Sequence, residues 1–514
     1  MSVMIGRIEV YMPKTSPGTP LGAEVIVSDT AIRKAVSRGA GTGKLRKLAP
    51  KLYTSNLHDA PEAIVRRNLW QIVSGLVPGA LIADRTALEL KPAGDGSVFV
   101  IADRKRELAL PGITIRPRKG HAPLPQDKPF MDGLFLSSQP RAYLENMRIS
   151  RPRAGVAART LPAADVEERL ESLLRKSGKE ALNRLRDEAR AIAPELGLEK
   201  EWGKLDDLIG ALFGTRDAEV SSGAARARKT GEPYDPARLQ LFEALHRELH
   251  ATAPVLRQAP VVTEALAFYE AYFSNFIEGT EFPVKEAEEI VFEGKMPEGR
   301  PADAHDVLGT YQIVSDTGEM RKIPRRFDDL LALMKARHAI IMDKRPDKQP
   351  GQFKTEVNRA GSTFFVAPEL VEGTLKKGFE LYQSIDAPFH RAVFMMFLVA
   401  EVHPFADGNG RIARIMMNAE LVAENEQRII IPTVYRNNYL VALKALTHNR
   451  HPQPLIRTLD FAQRYTAAVD WSDKAISQRI LEASHAFIDP AQADLQGIRL
   501  TLPDETMLAE ARYS

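Results

Sequence analysis

The segment HPFADGNGRIAR, residues 403–414, joins two predicted helices in the second half of a chain of 514 residues. An apolar stretch, residues 393–402, precedes it, and a second helix is predicted from Arg411 to about Glu424. A glycine-rich loop that ends at a helix N-terminus presents free backbone N–H groups, and the helix dipole adds to their attraction for anions. The segment therefore predicts an anion-binding loop within a helical region.

The side chains of this segment point to the transfer of a phosphorus-containing group. Asp407 places a carboxylate at the rim of the loop, where it suits a hard cation such as Mg²⁺. Arg411 and Arg414 are three residues apart, so both are expected to project from one face of the first helical turn onto phosphate oxygens. His403 opens the loop, where its imidazole can take a proton from an incoming hydroxyl at neutral pH. A positioned base, a cation and anion-binding donors are the parts that such a transfer needs.

This segment resembles the signature of the Fic family, HPF-x-D-G-N-G-R-x-x-R, with every specified position present. The resemblance implies an all-α helical bundle that transfers AMP from ATP to a Ser, Thr or Tyr hydroxyl of a protein. It implies His403 as the general base, Asp407 as the Mg²⁺ ligand and Phe405 as a core anchor of the loop. The implied nucleotide and phosphate site consists of Gly408, Asn409, Gly410, Arg411 and Arg414. Family members that transfer other groups tend to alter the glycine and asparagine positions, so AMP is favoured here.

A second stretch, residues 274–279 (SNFIEG), resembles the inhibitory helix of one subclass of the family, S-x-x-x-E-G, through Ser274, Glu278 and Gly279. The Glu278 carboxylate is expected to pair with Arg414 in place of the γ-phosphate, so that ATP binds with its α-phosphate turned away from attack. Two alternatives stay open. The stretch could be a plain helix end with a glycine cap, or Glu278 could orient a water for the removal of AMP from a target.

Residues 358–368 (NRAGSTFFVAP) resemble the flap of the family, a hairpin that clamps the target peptide by strand addition. The turn is predicted at Ala360-Gly361, and the β-prone residues that follow are Thr363, Phe364, Phe365 and Val366. A surface hairpin without a partner is the alternative. Further along, Arg436, Asn437 and Tyr439 lie where similar chains complete the nucleotide pocket, although a core tyrosine and surface polar residues explain them as well.

The N-terminal part of the chain is locally basic. Residues 31–70 hold nine basic and two acidic side chains, a charge of +7 against +3 for the whole chain. Residues 43–53, 77–82 and 87–89 resemble winged-helix regulators of the AbiEi antitoxin kind. The resemblance predicts binding of duplex DNA through residues 31–70, with a degenerate module used for protein contacts as the alternative. One helix is predicted here, from the Asp59–Glu62 turn to near Gly75.

The chain is longer than one hydrophobic core usually supports, so several domains are expected. The predicted organisation is a winged-helix-like module (1–90), a small α/β antitoxin-like domain (91–160), a helical connector (161–255) with a flexible linker (216–236), an all-α Fic bundle (256–470) and a tail (471–514) with one helix and a loosely ordered end. The fold class is thus multidomain, with an α/β module at the N-terminus and an all-α domain at the C-terminal half.

Composition narrows the function classes. The chain has no cysteine, which excludes disulfides, thiolate metal sites and cysteine nucleophiles. Its first residues lack the features of a secretory signal, and the apolar run at 392–400 is too short to cross a bilayer core of about 30 Å. We therefore expect a cytoplasmic enzyme without membrane contact, a protein adenylyltransferase inhibited by Glu278. The alternatives are a DNA-binding regulator of the toxin–antitoxin type whose Fic domain is a sensor, and an enzyme that removes AMP.

Overall fold

A computed structural model of the protein describes residues 23–513, except residues 132, 153, 254, 260–262 and 362. The first 22 residues, which open the predicted 1–90 module and on which the signal-peptide prediction rests, lie outside the described residues. The chain divides into two compact units, residues 1–229 and 230–514. No helix within the described part of the chain is both long and apolar enough to span a membrane.

The first unit begins with a three-stranded antiparallel sheet, in the order β1-β3-β2, and three short helices. Their bounds are β1 Val25–Val27, α1 Arg33–Gly41, β2 Arg46–Ala49, β3 Leu52–Thr54, α2 Pro61–Arg67 and α3 Leu69–Leu76. Ile26 and Leu52 are fully buried, and they anchor the sheet on the helices. The combination of a small sheet and helices agrees with the predicted α/β character, and the winged-helix assignment stays a prediction.

The single helix expected from residue 59 to residue 75 is wrong. Asn68 has a non-helical conformation (φ −105°, ψ 21°) and separates α2 from α3. Asp59 is not the cap of α2, because the N-cap is Ala60, which makes no side-chain capping bond. The Asp59 carboxylate pairs instead with the Arg67 guanidinium at 2.6 Å. Most of the expected span is helical, but the break at Asn68 was not predicted.

A mixed six-stranded sheet follows, with the strand order β6-β7-β5-β4-β9-β8. The elements are β4 Leu81–Ile82, α4 Asp84–Glu89, β5 Ser97–Ile101, β6 Leu108–Leu110, β7 Ile113–Arg118, β8 Lys128–Phe130, β9 Leu134–Leu136 and α5 Gln139–Asn146. Every residue of β5 is buried, as expected for a central strand covered on both faces. The chain turns between β6 and β7 at Pro111-Gly112, where Gly112 has a φ of 69°.

The first unit ends in the helices α6 Ala163–Leu196, α7 Glu199–Leu212 and α8 Gly223–Lys229. The predicted flexible linker at 216–236 is therefore wrong for residues 223–229. Ala224 and Ala225 are buried, and Arg228 pairs with Glu171 of α6 at 3.0 Å. Small residues that suggested a linker instead allow α8 to pack closely on the longer helix.

The second unit is helical apart from one short hairpin, within the residues that the structure describes. Its elements are α9 Pro236–Ala251, α10 Glu264–Ile277, α11 Val284–Glu293, α12 Pro301–Ser315, α13 Thr317–Met320, α14 Phe327–Ile341, β10 Arg359–Ala360, β11 Thr363–Phe364, α15 Val371–Tyr382, α16 Pro388–Val402, α17 Asn409–Ala423, α18 Arg436–Asn449 and α19 Gln453–Ala468. Nearly all residues of α16 are buried, and a helix that is apolar all round belongs in the core. It packs along α17, so the 403–414 segment lies between two core helices.

The C-terminal tail differs from the prediction of one helix and a loosely ordered end. It forms the three helices α20 Lys474–Ala483, α21 Pro490–Gln496 and α22 Glu505–Tyr513. Trp471 and Phe487 both pack against Tyr269 of α10, each with a ring-centroid distance of 6.1 Å. Phe487 also stacks on Phe273 at 5.4 Å. Trp471 and Phe487 thus hold the tail against α10, the helix that precedes Glu278.

Candidate active site

His403 is the last residue of the turn that ends α16, in the left-handed backbone region (φ 54°, ψ 58°). Its Nδ1 lies 3.1 Å from the carbonyl oxygen of Ala400. In the neutral ring, Nδ1 therefore carries the hydrogen and donates, which leaves Nε2 as the acceptor. Burial is the largest cause that lowers the pKa of the imidazole, to about 4. The ring is neutral at physiological pH and can accept a proton through Nε2.

The loop after His403 is closed by its own asparagine. Asn409 Oδ1 accepts the backbone N–H of Phe405 at 2.8 Å, and its Nδ2 donates to the Phe405 carbonyl at 2.9 Å. Both polar atoms of the Asn409 side chain thus hold the loop closed. Gly408 precedes α17 with a φ of 72°, and a Cβ there would lie 3.1 Å from Met342 Cε. Glycine is favoured at this position by its left-handed conformation, and a Cβ would also press on the Met342 side chain.

His338 of α14 supports the loop and was missed by the sequence reasoning. Its Nδ1 accepts the backbone N–H of Gly351 at 2.9 Å, so Nε2 carries the hydrogen and donates to the Asp407 carbonyl at 3.1 Å. Its ring stacks on Phe405, with centroids 3.8 Å apart. Burial lowers the pKa of His338 to about 4, so the ring stays neutral. A histidine on the apolar face of a helix gives only a weak signal in sequence, because most such residues are core histidines.

Arg411 is buried like Arg414, and its predicted role in phosphate binding stays a prediction. It is 3% exposed, and its Nη1 donates to Asp306 Oδ2 of α12 at 2.6 Å. Asp306 also accepts from Nε of Arg345 at 2.9 Å. Arg411 Nη2 lies 3.9 Å from Asp407 Oδ1. Arg411 is therefore held in a buried ion-pair network that no sequence motif reveals, since its carboxylate comes from a distant helix.

Arg414 is held by the end of α10. Its Nε donates to the Ser274 hydroxyl at 3.0 Å, and its Nη2 donates to the Ser274 carbonyl at 2.8 Å and to Glu278 Oε1 at 2.7 Å. The Glu278 carboxylate also lies against Gly410, where an added Cβ would be 2.1 Å from Oε1. Gly279 follows with a φ of 87° and ends the helix. The structure thus brings Ser274 and Glu278 onto the N-terminal turns of α17.

The charges of this pair stabilise each other. Burial alone would raise the pKa of the Glu278 carboxyl, but the Arg414 and Arg411 guanidinium groups lower it further, so the net shift is downward. Burial alone would lower the pKa of Arg414, but the Glu278 carboxylate raises it more. Glu278 is therefore an anion at neutral pH, seated where the N–H groups of α17 attract negative charge.

Asp407 offers an oxygen for a cation. Its Oδ1 accepts the backbone N–H of Gly408 at 2.7 Å, and Oδ2 has no partner among the described residues. The side chain is 47% exposed at the rim of the loop. No group of three or more potential metal ligands occurs in the described part of the chain. One carboxylate fits Mg²⁺, because this ion keeps several waters and takes most other ligands from phosphate oxygens.

The predicted flap forms a hairpin in which β10 and β11 pair antiparallel, with Arg359 opposite Phe364. Ser362 of its turn lies outside the described residues. Phe364 is exposed by 63%, whereas Val366 is buried in the core. Phe365 stacks face to face on His403, with centroids 3.7 Å apart. Of the four flap residues, only the first two are strand residues, and the third contacts the candidate base.

Of the three residues of α18 that the sequence associates with the nucleotide pocket, Tyr439 interacts with the Arg414 guanidinium, and all three contact neighbouring helices. Arg436 Nε donates to the Ile277 carbonyl at the end of α10, at 2.9 Å. Asn437 Nδ2 donates to Asp494 of α21 at 3.1 Å. Tyr439 is buried, and its hydroxyl lies 3.3 Å from Met396 Sδ. These residues support the helices around the site, and their assignment to a nucleotide pocket stays a prediction.

Comparisons with known proteins find similarity over the part of the chain that contains this loop. The sequence model described as the Fic/DOC family matches residues 328–421, from α14 to α17. The protein adenylyltransferase Fic of Drosophila persimilis is 23% identical over 276 residues, which cover 51% of this chain and 53% of that protein. The corresponding protein of Drosophila willistoni is 23% identical over 308 residues, with coverages of 58% and 59%. The chain therefore spans little more than half the length of the curated relatives it matches.

A solved structure of Fic-1 from C. elegans is 19% identical and covers 59% of this chain and 96% of that one, with a TM-score of 0.33. The family match and the named relatives support a Fic/DOC domain that contains the complete 403–414 segment.

Proposed function

We propose that the chain is a protein adenylyltransferase that transfers AMP from ATP to a Ser, Thr or Tyr hydroxyl and is inhibited by its own Glu278. The relatives that it matches are named protein adenylyltransferases, and the matched segment contains the whole loop with His403 and Asp407. The observation that carries the proposal is the Glu278 carboxylate. An anion already lies at Gly410 and on Arg414, at the helix N-terminus where phosphates are expected.

In the proposed reaction, the target hydroxyl loses its proton to Nε2 of His403. The hydroxyl oxygen bonds to the α-phosphorus, and the bond from that phosphorus to the oxygen shared with the β-phosphate breaks. Pyrophosphate leaves. The backbone N–H groups of Asn409 and Gly410 and the Arg414 guanidinium stabilise negative charge on the phosphates. Asp407 would hold Mg²⁺, which supplies positive charge next to the leaving pyrophosphate.

In this proposal Glu278 inhibits transfer because its carboxylate and the γ-phosphate of ATP compete for the Arg414 guanidinium. Arg414 gives two hydrogen bonds to Ser274 and one to Glu278, and it is 5% exposed. A γ-phosphate that approached Arg414 would meet an ionised carboxylate 2.7 Å from Nη2. The triphosphate would therefore bind shifted, and transfer depends on in-line geometry. The same carboxylate could instead orient a water for the removal of AMP, an outcome that the experiment below distinguishes.

The proposal is tested by incubating the Glu278→Gly protein with ATP, Mg²⁺ and a cell lysate, followed by mass spectrometry of tryptic peptides. The expected result is AMP on Ser, Thr or Tyr side chains, absent from the matched reaction with Glu278→Gly/His403→Ala. Modification that is equal in both reactions would refute His403 as the base. Loss of AMP from a pre-modified lysate with the wild-type protein, but not with Glu278→Gly, would favour the reverse reaction, because that reaction needs the carboxylate.

A second proposed function is binding of duplex DNA by the first unit. Eight of the nine basic side chains in residues 31–70 are exposed, and only Arg46 is half-buried. Exposed cations displace counterions from DNA, so binding must weaken steeply with salt. Fluorescence anisotropy of a labelled duplex, with the full chain and with Lys44→Ala/Lys47→Ala, should show a slope of log Kd against log salt that is smaller for the variant. Equal slopes, or no binding at low salt, would favour the protein-contact alternative.

A further inference from the structure

Lys354 is a buried lysine beside the candidate base. It lies between α14 and β10, and only 4% of it is exposed. Within the described ranges it forms no salt bridge with a carboxylate. A buried ammonium group without an acidic partner is unfavourable unless its hydrogens are bonded. Its position therefore needs a reason other than the stability of the fold.

Lys354 binds the main chain on both sides of His403. Its backbone N–H donates to the carbonyl of Pro404 at 2.9 Å, and its Nζ lies 3.4 Å from the carbonyl of Val402. The residue between these two carbonyls is His403, which has a left-handed conformation that non-glycine residues rarely adopt. Lys354 also places positive charge at the C-terminal end of α16, where the helix dipole is negative. One residue thus fixes the peptide groups that orient the imidazole.

The same amine connects the base to the flap. Nζ donates to Asn358 Oδ1 at 2.8 Å, and Asn358 Nδ2 donates to the carbonyl of Phe405 at 2.8 Å. The carbonyl of Asn358 accepts the N–H of Phe365 at 3.1 Å, and the ring of Phe365 stacks on His403. Lys354 and Asn358 therefore hold residues 402–405 and the flap in one arrangement around the imidazole.

Two elements, α9 and α16, place charged groups near Lys354. Arg238 of α9 donates to the Phe364 carbonyl of the flap and pairs with the buried Glu401 of α16. Burial first, and then the Arg238 charge, lowers the pKa of Lys354 to about 7. The Lys354 charge in turn helps to keep the pKa of His403 low. Because the Glu401 carboxylate is paired with the Arg238 guanidinium, it does not neutralise the charge of Lys354.

We infer that Lys354 is a positioning residue of the transfer reaction, which holds His403 between its two neighbouring carbonyls and couples it to the flap. This inference rests on the proposed function. Lys354 touches neither the α17 N-terminus nor Arg414 in the described structure, so it should affect the chemical step and not the binding of ATP.

The test compares Lys354→Met and Lys354→Arg, each combined with Glu278→Gly, by steady-state AMP transfer at varied ATP and pH. Lys354→Met keeps the length of the side chain and removes the donors, so kcat should fall about tenfold or more, because small misplacement of a reacting group has large effects. The KM for ATP should stay within about threefold, since the anion site is untouched. Lys354→Arg should restore a substantial part of kcat.

The pH profile distinguishes positioning from a merely structural role. The ammonium form of Lys354 exists below its pKa of about 7, so the rate with lysine should decline as the pH rises through this value. Arginine keeps its charge there, and its profile should stay flat. Lys348→Met, a partly exposed lysine of the same segment that pairs with Asp347 at 3.2 Å, is the matched control and should leave both kcat and the profile unchanged.

Each outcome decides the inference. An unchanged kcat in Lys354→Met, or a rise in KM alone, would overturn it. If Lys354→Met unfolds at a lower temperature, Lys354→Arg decides between the two roles. A loss of both rate and stability in Lys354→Arg, without a change of its pH profile, would mean a structural role. If Glu278→Gly itself transfers no AMP, the proposed function fails first and the inference falls with it. If Glu278→Gly transfers AMP and substitution of Lys354 does not change the rate, only the inference is refuted.

Discussion

Replacing Glu278 by glycine removes the anion that lies at the candidate phosphate site. The carboxylate is 2.7 Å from Arg414 Nη2, and it fills the space over Gly410. Its removal frees the guanidinium and the N–H groups of α17 for the triphosphate. Glycine suits this position, because Glu278 is the C-cap of α10. If the carboxylate shifts the α-phosphate by about 1 Å, its removal should raise the rate by up to about 10²-fold. We expect a rise of more than about tenfold.

The assay measures self-modification and lysate modification with labelled ATP at saturating Mg²⁺, from initial rates. Glu278→Gln keeps the volume over Gly410 but removes the charge, so its rate should lie between those of the wild type and the glycine variant. Glu281→Gly removes an exposed glutamate close by and is the matched control, with a rate equal to the wild type. A Glu278→Gly protein no more active than the wild type at saturating ATP would refute the inhibitory role.

Three further outcomes are expected. His403→Ala should abolish transfer in the Glu278→Gly protein, a loss of about 10²–10⁴-fold, while ATP affinity measured by calorimetry stays unchanged; a retained rate would exclude His403 as the base. The rate of Glu278→Gly should not decrease as the pH falls from 7 to about 5, because the base acts when deprotonated and its pKa is about 4; half-loss near pH 6.5 would contradict this. Phe487→Leu should weaken the tail contact with α10 and raise the wild-type rate, but add nothing to Glu278→Gly; an equal gain in both would place its effect elsewhere.

The loop, its flanking helices and the hairpin of the second unit could be predicted from the sequence. The 403–414 segment predicted its own loop and flanking helices, because glycines, a cap and an apolar run act over a few residues. The hairpin at 358–368 was predicted for the same reason. The partners of this segment were not predictable, since Asp306 and His338 come from helices far away in the chain. The ion pair of Arg411 with Asp306 was therefore not predicted, and its role in phosphate binding stays a prediction.

Errors in the first unit and the tail have a related cause. Small polar residues suggested a linker at 216–236, but tertiary packing of Ala224 and Ala225 turns residues 223–229 into a helix. The tail looked loosely ordered because its aromatic residues are far apart in sequence. Phe487 stacks on Phe273, more than 200 residues earlier, and this contact orders the region. The periodicity of apolar residues within one segment does not show which distant residues that segment packs against.

The central claim is that the Glu278→Gly protein forms a bond between a protein hydroxyl and the α-phosphorus of ATP. The most direct measurement incubates this protein with Mg²⁺ and with ATP labelled either at the α-phosphate or at the γ-phosphate, and then counts label on the denatured protein. The account predicts α-label on the protein, no γ-label, and release of labelled pyrophosphate from the γ-labelled reaction. Retention of γ-label would mean phosphorylation, and no label of either kind would contradict the proposed transfer.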